Sequence, residues 1–93
     1  MKEREIISQI KEYLRAVPGC YCFKTHGGFY GTAGLPDIIV CYKGRFIAFE
    51  VKTETGKVTV LQAVTIKKIT AAGGIAVVVR SVAEVKSIIE KLR

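Results

Sequence analysis

A chain of 93 residues has room for one small hydrophobic core, since at this length folding hides only about 60 to 65% of the unfolded surface. Hydrophobic residues at 49% and charged ones at 25% exclude a disordered or low-complexity chain. The net charge of +7, from 15 Lys and Arg against 8 acids, suits a polyanionic partner without requiring one.

In chain order, residues 3 to 17 carry Ile6, Ile10, Tyr13, Leu14 and Val17 at helical spacing, and Pro18-Gly19 ends that helix. CYCFKT then reads as a strand. From His26 to Pro36 the chain spends four of its nine glycines, too many for a regular element, so this stretch reads as a loop. Asp37 to Tyr42 and Arg45 to Thr53 are β-rich runs joined by Lys43-Gly44, the pattern of a hairpin with a two-residue turn. A second helix opens at the capping box Thr59-x-x-Gln62, carries Ile66 and Ile69, and stops at Gly73-Gly74. Ile75 to Arg80 is a short, continuously apolar strand expected inside the sheet. Ser81 and Glu84 form another capping box, opening a helix to about Leu92 through Val82, Val85, Ile88 and Ile89. The order is αβββαβα, an α/β fold with helices packed on a mixed central sheet, and all 93 residues read as one domain.

Several classes fall away. The longest aliphatic run, Ile75 to Val79, is far short of the roughly 20 residues of a membrane helix, and MKEREIISQI lacks a secretory hydrophobic region, so a cytoplasmic, membrane-free protein is expected. Cys20, Cys22 and Cys41 are odd in number, without a CxxC pair and with a single His in the chain. Neither a disulfide framework nor a zinc site is expected, and Cys20 and Cys22 read as small buried hydrophobes on one strand face.

Register carries the chemistry. With Lys43-Gly44 as the turn, Tyr42 faces Arg45 and Asp37 falls directly across from Glu50. Side chains opposite one another in an antiparallel pair stand about 5 Å apart at Cβ, and like charges there are destabilising. Alternation puts Lys52 on the face of Glu50 and turns Val51 into an apolar layer. Two carboxylates beside a lysine suit a hard divalent cation such as Mg²⁺, which polarises a phosphodiester and activates a bound water. Spacing alone leaves a second reading open, in which Glu50 and Lys52 are solvated charges and Asp37 merely starts a strand.

Pro36-Asp37 followed by Glu50-Val51-Lys52 resembles the PD-(D/E)xK nuclease signature. The fuller pattern resembles the VRR-NUC (virus-type replication-repair nuclease) branch: Gly34-Leu35-Pro36-Asp37, Gly44-x-Phe46-x-x-Phe49-Glu50-Val51-Lys52, Gly56, Thr59-x-x-Gln62, and Gly73-Gly74 before an apolar strand ending in Arg80. The resemblance implies a restriction-endonuclease-like fold, Asp37 and Glu50 as metal-binding carboxylates, the Val51 backbone carbonyl as a further ligand, and Lys52 as the catalytic lysine. It also implies an acid from the first helix. Glu3, Glu5 and Glu12 compete for that place, and Glu3 lies on the core-facing stripe while Glu5 projects away from it. The segment E-R-E-I is similar to the first helix of archaeal Holliday junction resolvases, where the first Glu corresponds. Glu3 also reads as a solvated acid favoured by the helix dipole. Gln62 carries two compatible readings, a cap on the Thr59 amide and, by the resemblance, a contact near the active site.

Contacts with DNA are expected from Lys24, His26, Gly27, Gly28 and Tyr30, in and beside the glycine-rich loop, and from Lys57, with Phe29, Lys67 and Lys68 as further candidates. Nothing reads as a recognition helix, so backbone or structure recognition is expected. The implied function is a Mg²⁺- or Mn²⁺-dependent endonuclease on branched or structured DNA, of Holliday-junction-resolving type. Solitary VRR-NUC domains suggest a homodimer, whose two-fold symmetry would match a junction. The alternatives are a nicking or restriction-like nuclease on ordinary duplex and a non-catalytic DNA-binding module of the same fold.

Overall fold

Alternating apolar residues build a four-stranded sheet in this computed structural model, which describes residues 1–26 and 33–93. The elements follow the expected order: α1 (Glu3–Arg15), β1 (Cys20–Lys24), β2 (Ile38–Tyr42), β3 (Arg45–Val51), α2 (Val60–Ala71), β4 (Ile75–Val79) and α3 (Val82–Lys91). In space the strands run β1-β2-β3-β4, with β1 and β3 antiparallel to β2 and with β4 parallel to β3. The parallel step requires a crossover, and α2 supplies it.

The turn between β2 and β3 sets the register. Lys43 and Gly44 both have positive φ, 50° and 82°, the conformation of a type I′ turn whose twist matches that of the flanking strands. Tyr42 therefore pairs with Arg45, and the ladder runs back to Ile38 opposite Phe49. Alternation then assigns the faces. Ile38, Val40, Tyr42, Ile47, Phe49, Val51 and Val79 point inward and join Ile6, Ile10 and Leu14 of α1 and Val85 and Ile89 of α3 in one core. Each large aliphatic or aromatic side chain so buried contributes about 1.5 to 3 kcal/mol of transfer free energy.

The other face is covered on one side only. α2 packs on β4, and there Ala76 and its sheet neighbour Ala48 are buried. Toward β1 the face is bare: Tyr21 and Phe23 remain 70% and 46% exposed, and Cys41 is exposed as well, while Phe46 of β3, beside Gly74, is 47% exposed. α2 itself buries no residue fully, so Ile66 and Ile69 are only half-buried.

Four expectations need correction. α1 stops at Arg15, with Val17 buried beyond it, because Ala16 is the C-cap and Pro18 cannot continue the helix. β4 lies at the sheet edge rather than inside it. A continuous apolar run reports two covered faces, and β4 has α2 on one and α3 on the other, whatever stands beside it. The box at α3 is half a box: Ser81 accepts the Glu84 amide, but Glu84 accepts from the Arg80 amide instead of that of Ser81. Cys20 and Cys22 are half-buried, packed against the core rather than within it. No helix among the described residues is long and apolar enough to cross a membrane.

Candidate active site

Asp37 stands one residue before β2, so the ladder ending at Ile38 and Phe49 extends by a step to Asp37 opposite Glu50. Hydrogen bonds to Asp37 and to its neighbour Pro36 hold it there. The Thr25 amide donates to the Asp37 carbonyl at 2.9 Å, the Thr25 hydroxyl donates to the Pro36 carbonyl at 2.6 Å, and the Val51 amide donates to Asp37 Oδ2 at 2.7 Å. Val51, whose carbonyl the resemblance implicates, thus also lends its amide, while its side chain sits in the core.

Glu50 is the buried acid of this chain, 2% exposed. Its Oε2 accepts from Gln62 Nε2 at 3.0 Å and lies 3.9 Å from Lys52 Nζ. Its Oε1 is buried with no partner. Burial pushes the Glu50 carboxyl up to about 8, reinforced by the adjacent Asp37 carboxylate and by Glu3, and opposed by the Lys52 ammonium. A buried unpaired oxygen on an acid set against a second acid is costly unless a cation compensates it.

The Gln62 amide bonds in two directions. Its Oε1 accepts from the Thr59 amide at 2.9 Å, closing the capping box, while its amide nitrogen reaches Glu50. The start of α2 is thereby tied to the site. Glu3 is half-buried and Glu5 exposed, and the charge of Glu3 adds to the rise of the Glu50 carboxyl. Among the described residues no three His, Cys, Asp or Glu side chains gather closely enough to hold a metal, so Glu3 is not drawn into a ligand cluster. The remaining donors still fit Mg²⁺, which is held by one or two carboxylates with water and phosphate oxygens completing its shell.

The expected DNA contacts are only partly in view. Lys24 Nζ donates to the Thr25 carbonyl at 3.1 Å, and His26, Lys57, Lys67 and Lys68 are exposed. Gly27, Gly28, Phe29 and Tyr30 lie outside the described residues. One residue that braces the site escaped the sequence reading: Thr25, which bonds the Pro36 and Asp37 carbonyls, gives no signal beyond ending a strand-like run.

No family model matches the chain, and no curated protein does so. Among solved structures it superposes on one described as a VRR_NUC domain with a TM-score of 0.78 and 28% sequence identity, over 95% of this chain and 94% of that one. A second, described as a VRR_NUC domain protein, gives a TM-score of 0.75 over 98% of this chain and 87% of that one; at 19% identity it shows the fold alone. Motifs, register and fold agree: the chain is built as a VRR-NUC domain, an architecture of nuclease type.

Proposed function

We propose that this protein is a divalent-metal-dependent endonuclease that cuts branched or structured DNA as a homodimer, of Holliday-junction-resolving type. The observation that carries the reading is Glu50, buried against Asp37 with one oxygen unpartnered and Lys52 beside the other. Such a pair weakens the fold unless it holds a cation. Asp37 and Glu50, with the Val51 carbonyl, would hold Mg²⁺ or Mn²⁺, and Glu3, the further ligand that the resemblance implies, would act through its charge. An ion bound there supplies polarisation of the phosphodiester and a water acidic enough to attack it.

The chain's own side chains do the rest. Lys52 has donors and no acceptor, so it orients the attacking water or steadies the charge that develops on phosphate oxygens. Gln62 engages Oε2 of Glu50 and leaves Oε1 free. Lys24, His26, Gly27, Gly28, Tyr30 and Lys57 contact the DNA backbone. The +7 surplus supplies affinity that falls with salt and reads no sequence. The bare apolar half of the sheet, at Tyr21, Phe23 and Phe46, supports pairing with a second copy.

The test is a side-by-side assay on a four-way junction, a flap and a linear duplex with Mg²⁺ and with Mn²⁺. The junction should be cut fastest. Equal cutting of the linear duplex would replace this reading with a nicking or restriction-like nuclease, and no cutting with any divalent ion would leave a DNA-binding module.

A further inference from the structure

Arg80 spends its guanidinium on backbone. Nη1 donates to the carbonyls of Thr53 at 2.6 Å and Gly56 at 2.7 Å, with Glu54 at 3.3 Å. Among the described residues Arg80 forms no salt bridge, so these carbonyls are its counter-dipoles. Hydrogen bonds from a charged donor are about twice as strong as neutral ones. The three carbonyls belong to one turn, which the Gly56 amide closes onto the Thr53 carbonyl at 3.1 Å.

That turn is folded against Lys52. A Cβ at Gly56 would stand 3.4 Å from Lys52 Cβ and 3.2 Å from Thr53 Oγ1, so the turn packs directly against the stem of Lys52. The Lys52 amide is tied to the Val79 carbonyl at 3.0 Å, one residue before Arg80. Val51 pairs with Val79, so continuation of the parallel register sets Lys52 beside Arg80. The guanidinium is thus turned onto the carbonyls of the turn beside Lys52.

We propose that Arg80 is a positioning residue: by gathering the carbonyls of Thr53, Glu54 and Gly56 it fixes the turn that walls in Lys52, and so holds Lys52 Nζ within reach of Glu50. The mechanistic part rests on the nuclease reading above; the clamp itself does not.

The full-length chain is tested as Arg80→Met, which keeps an apolar stem, and as Arg80→Lys, which keeps the charge. Hydrogen exchange at the Gly56 amide should quicken about tenfold in Arg80→Met while the β3–β4 amides are unchanged, and Lys52 side-chain order by NMR should fall, with partial recovery in Arg80→Lys. Mg²⁺-dependent cleavage should show kcat lower by about 10- to 100-fold with KM for DNA little changed. Arg80→Lys, which keeps a donor for the same carbonyls, should restore part of kcat, so a poorly folding Arg80→Met does not leave the idea unexamined. Unchanged Gly56 exchange, or retained Lys52 order, overturns the clamp. Raised KM at unchanged kcat overturns the positioning role and makes Arg80 a DNA contact. If the wild-type protein cuts nothing, the nuclease reading fails, and the exchange and NMR results still decide the clamp.

Discussion

The environment of Glu50 raises the pH at which it gives up its proton. Its folded value near 8 lies above the ordinary 4.5, so between those values the folded protein binds more protons than the unfolded chain. Stability must then fall as pH rises through that window, being fully present below it and fully lost above it. Thermal unfolding of metal-free protein from pH 5 to 9 should show this decline. Mg²⁺ should reverse part of it by binding the ionised folded site, and Glu50→Gln should abolish the slope. Gln62 allows its two roles to be separated. Gln62→Glu keeps an acceptor for the Thr59 amide but sets a third carboxylate against Glu50, so it should reduce cleavage while α2 stays intact. Gln62→Ala loses both bonds and should also lower stability by about 0.5 to 1.5 kcal/mol in denaturant unfolding. The opposition of Asp37 and Glu50 was legible in the sequence because one turn fixes it. The bonds from Thr25 and Arg80 were not, since their partners are backbone carbonyls that the chain order does not bring together.

At the scale of elements, the hairpin turn is a lever on the site. Gly44 has φ of 82°, and a Cβ added there would meet nothing within 4 Å, so Gly44→Ala costs only backbone strain, about 1 kcal/mol. Gly34 has the same φ, but a Cβ there would stand 2.7 Å from the Leu61 carbonyl oxygen of α2. Gly34→Ala should therefore cost more, about 2 to 4 kcal/mol, and urea unfolding of the two variants compares them directly. The hairpin and the Thr59 box were readable because their signals are local. The position of β4 was not, because an apolar run records what lies above and below a strand and is silent about what lies beside it. Nor did the sequence reveal how little α2 buries: Val60 and Leu61 are 80% and 57% exposed, although they are as apolar as any core residue.

Across the whole molecule, acids and bases divide the work. Asp37 and Glu50 share one end of the sheet with Lys52, while the basic surplus of +7 is left to meet phosphate. If Lys57 meets a phosphate, Lys57→Ala should reduce the slope of log affinity against log salt by about 1, uniformly across DNA sequences. The bare apolar half-face carries the pairing claim. Sedimentation should show a dimer for the wild-type chain and a monomer for Phe46→Glu, a residue 47% exposed; a monomeric wild type would remove the two-fold reading without touching the site. The central claim, that Asp37, Glu50 and Lys52 form a metal-dependent phosphodiester-cleaving site, is tested most directly by comparing wild type with Asp37→Ala and Lys52→Ala on a four-way junction in Mg²⁺, measuring binding and cleavage together. Each variant should bind the junction about as tightly as wild type and cut it at least about 100-fold more slowly. Undiminished metal-dependent cleavage by both would contradict it.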